Sequence, residues 1–302
     1  MAIAFLFPGQ GSQKVGMAQS LIEAFPLAKQ TFEQASEALG FDLALMCVGG
    51  PEDVLKLTQN AQPALLTHSI AAFRVLETEK AITADFMAGH SLGEYSALVA
   101  AGVLDFIDAV KLVRIRGEAM IEAVPAGQGA MAALVGVEIA QAQEICNSVD
   151  GVVVPANMNG SGQIVISGAK VAVEAAMQVA RDMGVRKVVL LPVSGPFHSP
   201  LMQPAADRMA QALVDIQLSP FKVPVIPNVL AQPIQDVKQV KSLLVQQVTG
   251  AVRWEETMQS LAFANVTRCI ELGAGNVLSG LMRRSQKSIN MTCFGEAEQL
   301  WV

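Results

Sequence analysis

The five residues Gly89-His90-Ser91-Leu92-Gly93 constrain this chain more than any other stretch. They read G-x-S-x-G, and their setting matters more than their letters. A short, mostly apolar run, Asp85 to Ala88, precedes them. Glu94 to Gly102 follows and reads as a buried helix closed by glycine. Strand, tight turn, helix is the setting in which glycines let the backbone double back and leave a serine hydroxyl exposed. At the N-terminus of a helix, free N–H groups and the helix dipole favour developing negative charge. Ser91 is therefore a candidate nucleophile. The bland alternative is a serine capping an ordinary strand–helix turn.

Such a turn needs a packed sheet behind it, and the composition supplies one. Of 302 residues, 52% are apolar and 16% charged, which describes an α/β protein with a large core. That length suits one large domain, or one domain carrying an insert. No apolar run reaches the ~18 residues of a membrane span. The apolar start lacks a basic leader and meets Pro8-Gly9 at once, so it reads as a first strand and not a signal peptide. Cys47, Cys146, Cys269 and Cys293 are scattered, without a C-x-x-C pair. A zinc site or disulfide framework is not expected, and a reducing cytoplasm fits. Gly9-Gln10-Gly11 is no dinucleotide fingerprint, since position 14 is Lys14, and no phosphate-binding Gly-Lys-Ser/Thr follows. No cofactor is expected. A net charge of −6 argues against a nucleic-acid partner.

Segments alternate along the first part. A strand over Ile3–Phe7 leads into a polar loop, then amphipathic stretches at Phe25–Leu39 and Ala64–Glu77, the serine turn, and a helix over 105–124 with Asp105 as N-cap. Near Pro125-Ala126-Gly127 the texture changes. The order becomes strand (131–137), helix (140–149), strand (152–157), strand (164–168), helix (171–183), strand (187–191), the split βαβ of a ferredoxin-like unit. Helices at 238–248 and 255–264 and a strand at 269–273 close the chain. The fold class expected is α/β: a hydrolase-like parallel-sheet core over 1–126 and 195–302, with an inserted ferredoxin-like α+β subdomain over 127–194. A cleft between them would be a favoured ligand site.

A nucleophilic serine needs a base, and the chain has three histidines. His90 leaves the tight turn in another direction. His68 sits in an apolar, helix-like stretch and reads as a packed core residue. His198 lies in Gly195-Pro196-Phe197-His198-Ser199-Pro200, a loop stiffened by proline, and follows Ser91 in the order of α/β-hydrolase-like enzymes. Its alternative is a surface loop histidine. Arg116 could bind a carboxylate through two parallel hydrogen bonds; by position alone, a solvated arginine in mid-helix is the simpler reading. A glycine-flanked N–H in the Gly9–Gly11 loop could donate to an oxyanion.

Taken together, the chain resembles the malonyl-CoA:acyl carrier protein transacylase family, related to the acyltransferase domains of polyketide synthases. The resemblance runs through Phe7-Pro8-Gly9-Gln10-Gly11-Ser12-Gln13, Thr58–Ala64, Gly89–Glu94, Arg116-Gly117-Glu118-Ala119-Met120, Gly129–Ala133, Asn157-Met158-Asn159, Gln163–Gly168, Gly195–Ser199 and Glu271-Leu272-Gly273. It implies malonyl-CoA and acyl carrier protein as partners, with no cofactor, and a ping-pong transfer through a malonyl ester on Ser91. His198 would be the base, and the Gln10 and Leu92 N–H groups the oxyanion hole. Arg116 would clamp the malonyl carboxylate, the Gln247 main-chain carbonyl would orient His198, and Asn157 and Asn159 would lie near the site. Phe197 would disfavour an α-methyl group. A monomer without nucleic acid, membrane or metal is the expected state. Two positions depart from the family pattern: Gly160-Ser161 stands where Ser-Pro is usual, and Gly250-Ala251-Val252 where Asn-Pro-Val is usual. The competing reading is a serine esterase or thioesterase, which shares the turn but has no use for Arg116.

Overall fold

The computed structural model describes residues 2–301. Among them nine strands occur in chain order: β1 (Ala2–Phe7), β2 (Phe86–Gly89), β3 (Gly129–Val135), β4 (Val153–Gly160), β5 (Gln163–Ala169), β6 (Lys187–Leu190), β7 (Val225–Ile226), β8 (Val266–Leu272) and β9 (Asn290–Phe294). They form two sheets. The larger runs β7-β2-β1-β8-β9 with every neighbouring pair parallel. The smaller runs β4-β5-β3-β6 and is antiparallel throughout.

Central β1 shows why this sheet needs cover on both faces. Successive side chains of a strand point to opposite sides. Phe5 and Phe7 enter one apolar cluster with Leu65, Tyr95 and Ile270. Ala4 and Leu6 enter another with Ala88, Ile226, Trp254 and Met282. A parallel sheet buried on both faces has this near-continuous apolar sequence.

The smaller sheet alternates in the same way. Ala130, Ala132, Leu134, Ile164 and Ile166 pack beneath the helices Ile139–Asn147 and Lys170–Asp182. Met131, Ala133 and Val165, on the opposite side, join the main cluster of the larger sheet. The strand-helix-strand-strand-helix-strand order and this pairing make a ferredoxin-like unit. The fold class agrees with the sequence reading.

Some elements were not legible in the sequence. β7 is two residues between Pro224 and Pro227, and β9 is an edge strand without clean alternation. The helices Gln203–Ala212 and Val277–Ser285 were also not anticipated. One helix starts earlier than expected: Thr58–Lys80 runs through Pro63, where the sequence suggested a start at Ala64. Proline lacks the N–H that would bond the carbonyl four residues back. That carbonyl, on Gln59, instead accepts from Arg114 Nη1 at 3.3 Å. Tertiary structure supplies the missing donor, so the helix need not break. Among the described residues, no helix is long and apolar enough to cross a membrane.

Candidate active site

Ser91 follows β2 directly and precedes the helix Gly93–Ala100. Its φ is +52°, in the left-handed region that L-residues other than glycine seldom occupy. The turn is held by close packing. A Cβ on Gly93 would come within 2.0 Å of the Phe7 carbonyl oxygen, and one on Gly9 within 2.4 Å of the His90 carbonyl oxygen. Only glycine fits at either place, so the loop after β1 is pressed directly against the serine turn. Asn228 clasps the same turn: its Oδ1 accepts from Ser91 N–H (2.6 Å) and its Nδ2 donates to the Gly89 carbonyl (2.7 Å).

His198 also has a positive φ, +58°, and is 3% exposed. A surface loop histidine is therefore ruled out. Its Nδ1–H donates to the Gln247 carbonyl at 2.9 Å and the Gly250 carbonyl at 3.0 Å. Those acceptors fix the proton on Nδ1 and leave Nε2 as an acceptor. Ser91 Oγ lies 2.7 Å from that nitrogen. Two strained residues, brought together from distant parts of the chain, make one short hydrogen bond; backbone strain of this kind concentrates at functional sites. Burial first, and the nearby Arg116 charge second, push the His198 pKa down to about 3. The imidazole is neutral at ordinary pH, with the Nε2 lone pair turned to the serine hydroxyl.

Arg116 is 1% exposed. The mid-helix position in Phe106–Glu122 that suggested a solvated side chain faces inward instead. Its Nη2 donates to Ser91 Oγ (3.1 Å) and Gln247 Oε1 (3.0 Å), and its Nη1 to Gln62 Oε1 (2.8 Å). Among the described residues, its buried Nε has no hydrogen-bond partner. A buried guanidinium beside a serine hydroxyl, with donor capacity unspent, is suited to an anionic group next to a reacting carbonyl.

The other candidates are arranged around this trio. The Gln10 side chain donates to Thr58 Oγ1 (3.1 Å), which is in turn bonded to Ser194 Oγ (3.1 Å). Among the described residues, the backbone N–H groups of Gln10 and Leu92 have no protein acceptor. Asn159, on β4, accepts from His90 Nε2 (2.9 Å), and the His90 ring meets Trp254 edge-on at 5.5 Å. His90 thus ties the turn to the smaller sheet and does not face Ser91 Oγ. Asn157 is buried where β4 pairs with Val252 of the loop after Gln247. Phe197 is buried in the main core beside His198. His68 is fully buried, donating from Nε2 to the Gly295 carbonyl (2.7 Å), far from Ser91 in role.

Three members of the site were not singled out from sequence. Gln62 and Glu94 lie inside motifs already read, Thr58–Ala64 and Gly89–Glu94, but nothing in their spacing marks them. Asn228 is a lone amide between Pro227 and Val229 and carries no local signal.

Comparison with known proteins gives the class that such a fold and site define: the family model described as an acyl transferase domain matches residues 4–293. The malonyl CoA-acyl carrier protein transacylase of Bacillus subtilis is 46% identical over 301 residues, spanning 99% of this chain and 95% of the relative. The crystal structure of acyl-carrier-protein-S-malonyltransferase from Bartonella henselae is similar at a TM-score of 0.97 and 48% identity, covering 100% of this chain and 98% of that one. A malonyl-transacylase solved in complex with its type II polyketide synthase acyl-carrier protein matches at a TM-score of 0.97 and 41% identity, covering 100% and 98%. The chain belongs to the malonyl CoA-acyl carrier protein transacylase family.

Proposed function

We propose that this protein moves a malonyl group from malonyl-CoA to the phosphopantetheine thiol of an acyl carrier protein, in two half-reactions through an ester on Ser91. The observation that carries this reading is the meeting of three groups: Ser91 Oγ within 2.7 Å of His198 Nε2 and 3.1 Å of Arg116 Nη2. A hydrolase of neutral esters has no need of a buried cation at that distance.

In the first half-reaction Ser91 Oγ attacks the thioester carbonyl carbon while His198 Nε2 takes the hydroxyl proton. The carbonyl oxygen gains negative charge, and the N–H groups of Gln10 and Leu92 are the donors assigned to it, each worth about 3 kcal/mol in such a role. The C–S bond breaks, and His198 returns its proton to the departing CoA sulfur. In the second, His198 takes the proton of the carrier thiol, the thiolate attacks the ester carbonyl, the bond from that carbon to Ser91 Oγ breaks as the C–S bond forms, and His198 gives the proton to the departing Oγ. The Gln247 and Gly250 carbonyls stand where the acid of a Ser-His-Asp triad would, keeping the imidazole oriented without a full negative charge. Arg116 holds the free carboxylate of the malonyl group. Phe197, next in sequence to His198, is assigned the selection against an α-methyl group, a preference of ~1–3 kcal/mol.

Mass spectrometry of the intact protein after mixing with malonyl-CoA alone tests the covalent step. A malonyl adduct on the wild type that is absent from Ser91→Ala is expected. No adduct, or the same adduct on Ser91→Ala, overturns the reading. CoA release that continues without carrier would mark a hydrolase.

A further inference from the structure

The polar network does not end at Arg116. Glu94, in the helix Gly93–Ala100, is 2% exposed, and the mechanism above gives it nothing to do. Its Oε2 accepts from Gln247 Nε2 at 2.7 Å and from the Asn228 backbone N–H at 2.8 Å. Gln247 Nε2 also donates to the Ser91 carbonyl at 3.0 Å. Both amide hydrogens of Gln247 are therefore spent on one side, and its Oε1 must face the other way, where Arg116 Nη2 donates to it at 3.0 Å. An amide has two ends of nearly equal size. What tells them apart here is the pair of oxygens on the far side, one of them from Glu94.

We infer that Glu94 is a positioning residue that acts through the Gln247 amide to hold the Arg116 guanidinium where a carboxylate-bearing acyl group needs it. The inference rests on the malonyl-transfer reading given above. An inverted Gln247 would point an NH2 group at the guanidinium and push it from its place. The same Glu94 oxygen buttresses Asn228, which holds Ser91 and Gly89. The position of the oxygen matters here more than its charge. Burial raises the Glu94 carboxyl to about 7, so neutral and ionised forms coexist near neutral pH, and either presents Oε2 as an acceptor.

The test compares single-turnover acylation of the full-length protein by malonyl-CoA and by acetyl-CoA, in wild type, Glu94→Gln and Glu94→Asp. Glu94→Gln keeps an amide oxygen at the same reach and removes the charge. Glu94→Asp keeps the charge and withdraws the oxygen by one methylene. The expected result is that Glu94→Asp slows both acylations, because Asn228 and the Ser91 turn lose a support, but costs the malonyl rate about tenfold more than the acetyl rate, while Glu94→Gln keeps the wild-type ratio of the two within about threefold. The reverse order, or equal loss for both acyl groups in either variant, overturns the inference. If Glu94→Asp does not fold, Glu94→Met, which fills the space but offers no oxygen, takes its place with the same expected loss. A wild type that accepts neither acyl group would sink the functional reading itself, whereas an active wild type with unselective variants sinks only the role given to Glu94.

Discussion

At the scale of residues, the site is organised by burial of charge. Among the described residues Arg116 forms no salt bridge; its hydrogen-bond acceptors are two glutamine oxygens and a serine hydroxyl, and the Tyr95 ring lies 5.6 Å from the guanidinium. Neutral acceptors satisfy a buried cation only in part, which leaves it free to gain from an incoming anion. Arg116→Ala should therefore lower acylation by malonyl-CoA roughly a hundredfold, the worth of one or two charge-assisted hydrogen bonds, and leave acylation by acetyl-CoA far less affected. Paired rate measurements on the two thioesters check this, and equal losses would show Arg116 to be structural. Ser91 and His198 stood out in the sequence because their own neighbours, glycine turns and prolines, announce special backbone. Arg116 was ambiguous by position, since a helix shows from its sequence which face is apolar but not which polar residue turns inward among other polar groups. Asn228 was invisible, because the partners of its side chain and N–H lie more than a hundred residues away.

At the scale of elements, the helices are held at their ends and breaks by particular side chains. Asp105 caps the helix Phe106–Glu122, its Oδ1 accepting from Ile107 N–H at 2.8 Å and Asp108 N–H at 3.2 Å, as the sequence leads one to expect. Pro63 misleads, because local propensity predicts a break and a guanidinium on another helix removes the need for one. The serine turn is a tight junction. Gly93→Ala forces a methyl group to within 2.0 Å of a backbone oxygen of Phe7, and backbone cannot yield as a side chain can. This substitution should cost at least about 3 kcal/mol. Thermal denaturation reads it directly, and a melting temperature near wild type would mean that the turn and β1 separate easily.

At the scale of the whole molecule, fold class was legible because β1 and β3 are unbroken apolar runs set between helix-like segments in a readable order, while the edges β7 and β9 were too short or too irregular to read. The three histidines, the buried His68 and His198 and the half-buried His90, all have lowered pKa values, with desolvation the largest cause in each. Below about 6.5 the unfolded chain binds protons that the folded chain refuses, so their contribution to stability is complete above that pH and lost as pH falls. Glu94 and Glu271, raised by burial, oppose this: their contribution declines as pH rises above 4.5, for Glu94 through about 7. His68→Gln should separate the two effects, because an amide nitrogen can still reach the Gly295 carbonyl but cannot take up a proton. The variant should lose less melting temperature than wild type between pH 7 and 5.5; an identical loss would remove His68 from the account. One further consequence comes from the second face of the smaller sheet. Met131, Ala133 and Val165 are seated in the core of the larger sheet, and His90 and Asn159 are laced across the seam. Such halves are fused jaws, not hinged ones: parting them would strip oil from oil. Substrates must come and go by the shifting of loops and side chains around a frame that stays shut.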